Sequence, residues 1–69
     1  MDRQEIARRL RGIRGQMSRQ KLAEHLGVSV TSIAYYETGQ RVPSDPVKAK
    51  YADLFGISID EVFFNRNIT

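Results

Sequence analysis

The chain has no cysteine and no tryptophan, and only two prolines and one histidine in 69 residues. Without cysteine there is neither a disulfide framework nor a thiolate metal site, so a domain this small must depend on well-packed helices or on a partner subunit. His25 stands alone, with no cysteine and no cluster of carboxylates beside it, so no metal and no cofactor is expected. No apolar run approaches the roughly 20 residues that span a bilayer. The opening MDRQEIARRL is charged throughout and lacks the apolar stretch of a secretory signal. These absences predict a cytoplasmic protein with no membrane partner. There is also no nucleophile–base pair, no glycine-rich phosphate loop and no room for a substrate cavity in so small a core. An enzyme is therefore the poorest fit, and no small-molecule ligand is expected.

What is present is an ordinary globular composition, 41% hydrophobic, with a net charge of +3. That hydrophobic content argues against disorder. Arg3, Arg8, Arg9, Arg11, Arg14, Arg19 and Lys21 crowd the first third, against Asp2 and Glu5; Glu37, Asp45, Asp53, Asp60 and Glu61 fall later. A basic end and a mildly acidic end suit a polyanion held on one face, although a basic helix is as often simply solvated.

Periodicity predicts an all-α fold of five helices in one domain over 1–69, with a core from about 4 to 64 and a polar tail at 65–69. Ile6, Leu10 and Ile13 recur at i, i+4 and i+7 on a first helix from about Gln4 to Arg14, with Asp2 as its cap and Gly15-Gln16 as its break. Ser18 caps the second helix, which ends at Gly27, and Ser29 caps the third, over about Val30 to Glu37. Pro43 keeps the segment from Gln40 to Ser44 out of helical geometry. Asp45-Pro46 reads as a cap followed by an N1 proline, opening a fourth helix whose apolar face is Val47, Tyr51, Leu54 and Phe55, and Gly56 closes it. Ser58 and Glu61 have the spacing of a capping box before a short fifth helix that carries Ile59, Val62 and Phe63 to the core.

The stretch from Ser18 to Pro43 is the most informative. A small Ala23, Gly27 four residues on, then Ile33 and Tyr36, is the order that two short amphipathic helices need in order to cross steeply. Ala23 allows the backbones to approach, and Gly27 sits where the turn demands positive φ. Leu22, Leu26, Val28, Ile33 and Tyr36 then face inward, leaving one helix presented to solvent as a probe. That is a helix-turn-helix, and its usual target is the DNA major groove.

Four segments in order, MSRQKLAEHLGVS, TSIAYYETG, RVPS and LFGISIDEVF, resemble the lambda-repressor-like, or XRE-type, helix-turn-helix family, from Ile6 to Phe63. The likeness implies a compact five-helix domain that binds double-stranded DNA sequence-specifically. The family usually does so as a two-fold dimer on a palindromic operator. The length resembles the small phage Cro proteins and short repressors, which are the DNA-binding domain alone. Two features depart from the family's pattern: the Gly15-Gln16 connection is shorter than usual, and the third helix lacks the glutamines and arginines that often read bases.

Base reading is accordingly expected from Val30, Thr31 and Tyr35. Val30 and the Thr31 methyl can pack on a thymine methyl, and the Thr31 hydroxyl can donate or accept. Tyr36 matches the family's buried position; Tyr35, about 100° around the helix, is left exposed. The resemblance places backbone contacts at Ser18, Arg19 and Gln20 at the start of the second helix, and at Ser32, Thr38, Gln40 and Arg41 around the third. A helix N-terminus with free N–H groups suits an anion even before Arg19 adds charge. The resemblance also implies an ion pair between Arg14 and Glu37, which as an exposed pair would contribute about 0–1 kcal/mol. Phe63 completes the core, so Phe64 is expected outside it, where with Ile68 it could form a dimer contact. The rival readings are an antitoxin that binds a protein toxin as well as DNA, and a protein-interaction module without DNA binding.

Overall fold

Capping residues and glycines divide the chain into short helices. The structure, a computed structural model, describes residues 2–64, and within them α1 (Arg3–Arg14), α2 (Arg19–Leu26), α3 (Val30–Thr38), α4 (Asp45–Phe55) and α5 (Ile59–Phe63) follow one another. The Asp2 carboxylate accepts the Glu5 N–H at 2.8 Å, and the Ser18 and Ser29 hydroxyls accept Lys21 N and Ser32 N, each at 3.0 Å. Each bond satisfies a first-turn donor that has no helical partner. Gly27 ends α2 in the left-handed region (φ 68°), where its N–H and that of Val28 both return to the Ala23 carbonyl.

One core runs through all five helices. Ile6 and Leu10 of α1, Leu22, Ala23 and Leu26 of α2, and Ile33 and Tyr36 of α3 meet Val47 and Tyr51 of α4 and Val62 and Phe63 of α5. The largest interface among the helices is α1 on α3, followed by α2 on α3. The third helix is thus held from two sides, and its remaining face is left to solvent. Phe55 stacks on Tyr51 with ring centroids 6.2 Å apart, and Phe63 meets Tyr51 edge-on at 6.3 Å.

Two caps differ from the sequence reading. The residue capping α4 is Ser44 rather than Asp45, which lies inside the first turn. Ser44 makes no side-chain cap bond. An N-cap side chain serves the second or third N–H of its helix, and Pro46 in the first turn supplies none. Ser58 does cap α5, but it too makes no side-chain bond, so the capping box with Glu61 does not form. Separately, a guanidinium N–H of Arg9 reaches the Glu61 carbonyl, tying α5 to α1. The short connection after α1 is accommodated without distorting α2. Gly15 turns the chain at φ 56°, and Arg14 then closes the turn by donating a guanidinium N–H to the Met17 carbonyl at 2.7 Å.

Gly39 is the glycine whose replacement tests this arrangement. Its φ is +81°, and a Cβ placed there would lie 2.4 Å from Nε2 of Gln4. That amide donates to the Thr38 carbonyl at 3.2 Å, capping the end of α3 from α1. Gly39→Ala should lower stability by about 1–3 kcal/mol in urea unfolding, combining left-handed strain with loss of the Gln4 bond. Gly12→Ala, in a helix interior with nothing within 4 Å of the new Cβ, should instead raise it by about 0.5–1 kcal/mol. Equal effects at the two positions would refute this account of the α3 terminus.

Candidate nucleic-acid interface

The supports of α3 set the geometry of its outer face, and one of the fully buried groups among them is a charge. Glu37 has no solvent exposure. Its carboxylate accepts Arg14 Nε at 2.7 Å and Arg19 Nε at 3.0 Å, and its backbone carbonyl accepts a guanidinium N–H of Arg11. The Arg14–Glu37 pair implied by the family resemblance is present, but it is not the exposed pair expected. It is a buried cluster that binds the start of α2 and the end of α1 to the end of α3. The hydrogen bond that Arg14 donates to Glu37 raises the Arg14 pKa above its ordinary value. Arg19, expected on a DNA phosphate, makes its first contact inside the protein. Its side chain stays 39% exposed, however, and one carboxylate oxygen cannot occupy all five donors of a guanidinium.

Next to this cluster, the Tyr51 hydroxyl is buried without a hydrogen-bond partner among the described residues. Burial and then the Glu37 charge hold the phenol protonated, raising its pKa well above the ordinary tyrosine value of 10.0. Removing an unsatisfied buried group while keeping its shape is close to neutral or stabilising. Tyr51→Phe should therefore leave stability unchanged or raise it by up to about 1 kcal/mol at neutral pH. Above pH about 10 the unfolded chain releases this proton while the folded one retains it, so the native state loses stability as pH rises further. The variant should lack that part of the alkaline loss. A cost above about 2 kcal/mol at neutral pH would mean that the hydroxyl is hydrogen-bonded after all.

Around the solvent face of α3 the expected residues fall as follows. Val30 is 45% exposed, and Thr31 beside it is exposed. Ser32 is half-buried and accepts the Ser29 hydroxyl at 3.0 Å, which leaves its own proton for another acceptor. Ser18 and Gln20 are exposed at the open N-terminus of α2. Lys21, one residue on, is also exposed and joins them, although the sequence reading did not single it out. At the other end, the Thr38 hydroxyl donates to the Ala34 carbonyl at 2.8 Å and accepts Gln40 Nε2 at 3.4 Å. To donate to a phosphate, Thr38 must first release Ala34.

Tyr35 differs from expectation. It is half-buried, because the loop after α3 folds back over it and brings the Arg41 guanidinium to 5.3 Å from the ring centroid. Phe64 is 48% exposed, as expected, with the Lys48 ammonium 4.9 Å from its ring centroid. Ile68 lies outside the described residues.

The basic first third of the chain is largely engaged within the protein. Arg8 and Arg9 pair with Glu5 at 3.5 and 4.0 Å, while Arg11 and Arg14 converge on Glu37. Lys21 and Arg41 pair with no carboxylate among the described residues. Arg3 and Arg11 of α1 pair with no carboxylate among these residues either, but beside α2 and α3 it is Lys21 and Arg41 that place uncompensated positive charge, one on each side of α3.

Helices α2 and α3 are joined by the turn at Gly27 and share a core that includes Ala23 and Ile33, with the outer face of α3 open and cations on both sides. A family model described as a helix-turn-helix domain matches residues 5–62. The chain belongs to the lambda-repressor-like helix-turn-helix family. No curated protein and no solved structure matches it. The helix-turn-helix marks the chain as a DNA-binding regulator. Such domains are typically not enzymes, and no helix among the described residues is long and apolar enough to cross a membrane.

Proposed function

We propose that this chain is a sequence-specific transcriptional repressor of a phage or mobile element. In this reading it binds a palindromic operator as a homodimer in the cytoplasm of a bacterial host. The observation that carries the reading is the exposed Val30–Thr31 edge on the first turn of a helix fixed from behind by a buried ion cluster. A rigid helix with an apolar and a hydroxyl-bearing side chain at its N-terminal end suits the thymine methyls and base-edge acceptors of a major groove. Ser18, Arg19, Gln20 and Lys21 on one side, and Ser32, Thr38, Gln40 and Arg41 on the other, would hold the phosphates. Two subunits would place two such helices in successive grooves about 34 Å apart, and occupancy would block an overlapping promoter. The exposed Phe64 ring supports a dimer contact, and a protein toxin in an antitoxin pairing would use the same kind of surface.

The test is fluorescence anisotropy with a duplex from the DNA upstream of the protein's own coding sequence, against a scrambled duplex. Tight binding to the first alone is the expected result. Thr31→Ala should weaken it by about 10-fold or more while leaving the scrambled duplex unaffected. Equal, weak binding to both duplexes would reject sequence-specific repression and direct attention to a protein partner.

A further inference from the structure

The segment after α3 is attached to one residue. The N–H groups of Gly39, Gln40 and Arg41 all converge on the Tyr35 carbonyl, the last two at 3.0 and 3.3 Å. The same residue's ring lies under the Arg41 guanidinium, 5.3 Å from centroid to Cζ. Arg41 is exposed and pairs with no carboxylate among the described residues, so the Tyr35 ring is the neighbour that limits where its charge can go.

We infer that Tyr35 is a positioning residue for Arg41. Its aromatic face, not its hydroxyl, holds the guanidinium where it meets a DNA phosphate beside the groove occupied by α3. This rests on the DNA-binding reading above and gives one of its base-reading candidates a different task. The physical basis is entropic. A free arginine side chain loses substantial rotamer freedom when it clamps a phosphate. A guanidinium already stacked on a ring has lost part of that freedom in the unbound protein, while its N–H edge stays available to an anion. The arrangement also places a fixed positive charge at the C-terminal end of α3, where the helix dipole favours it.

The experiment begins with selection of a duplex from a random-sequence library by the wild-type protein. If no sequence is enriched, the DNA-binding reading fails and this inference falls with it. On the selected duplex, affinities of the wild type, Tyr35→Phe, Tyr35→Leu, Arg41→Ala and the Tyr35→Leu/Arg41→Ala double variant are measured over a range of salt. Thermal melts by circular dichroism confirm that each variant folds.

Tyr35→Phe should bind as the wild type does. Tyr35→Leu should bind about 4- to 25-fold more weakly as a dimer, the square of about 2- to 5-fold per subunit. Its salt slope should shift toward that of Arg41→Ala, although no charge has been removed. Adding Tyr35→Leu to Arg41→Ala should then cost little more. A loss in Tyr35→Phe equal to that in Tyr35→Leu would make the hydroxyl the working group and overturn the inference. Additive losses with an unchanged slope in Tyr35→Leu would overturn it as well.

Discussion

Replacing Glu37 with alanine should cost about 3–5 kcal/mol, the penalty for removing one partner of a buried ion cluster and leaving its counter-charges uncompensated. A chain of 69 residues has roughly 3–10 kcal/mol of total stability, so this loss removes from about a third to all of the margin. The reasoning turns on burial. An exposed pair gains about 0–1 kcal/mol, whereas Glu37 is fully buried and Arg14 retains only 19% of its side-chain exposure. With the carboxylate gone, Arg14 must stay half-buried without an anion or break its bond to the Met17 carbonyl to reach water. Arg19, at 39% exposure, can swing outward at lower cost. Glu37→Gln keeps the volume but directs an N–H₂ group at one of the two guanidinium groups, so it should recover only part of the loss. A double replacement, Arg14→Met with Glu37→Leu, should cost far less than the sum of the single changes, because an apolar pair carries no desolvation penalty. Urea unfolding decides the matter. A loss under about 1 kcal/mol for Glu37→Ala would show that the cluster behaves as a surface pair.

Most of the fold is written locally, which explains why it can be read from the sequence. Asp2, Ser18 and Ser29 each satisfy an N–H three residues away, and Gly27 reverses the chain within a single turn. Such signals need no knowledge of the rest of the molecule. The features that escape are those that three elements make together. The resemblance implies the Arg14 partner of Glu37, but as an exposed pair; its burial arises only because α1 brings Arg14 and α2 brings Arg19 to the same point, which makes the carboxylate part of the core. The same convergence moves Arg19 from the list of free cations to a shared one. The half-burial of Tyr35 depends on how the loop after Gly39 folds back, and no periodicity encodes that. The missing cap bonds at Ser44 and Ser58 are a subtler case. The residue types fit their positions, but Pro46 removes a donor at one, and at the other no feature of the structure explains the missing bond.

The salt dependence of operator binding should report this redistribution of charge directly. If each subunit neutralised about four phosphates, the log–log slope for a dimer would be near −7. The structure reduces that number. Of the basic groups beside α2 and α3, Lys21 and Arg41 pair with no carboxylate among the described residues, and Arg19 is shared with Glu37. Three working cations per subunit give a slope of about −5.4, and a drop in affinity of about 2,000-fold between 50 and 200 mM salt. If Glu37 holds Arg19 completely, two cations remain and the slope is about −3.6. The difference between these slopes is large enough to resolve. A measured slope near −7 would mean that cations of α1, such as Arg3 and Arg11, which also pair with no carboxylate among the described residues, reach the DNA as well. That would contradict the assignment of the DNA-contacting charge to the two sides of α3. Lys21→Ala and Arg41→Ala should each reduce the slope by about 1.8 for the dimer, while weakening selected and scrambled duplexes alike. Thr31→Ala should leave the slope unchanged and alter only the preference between sequences. Phosphate contacts position the domain and base contacts give it specificity, so the two kinds of variant should separate cleanly in the same titration.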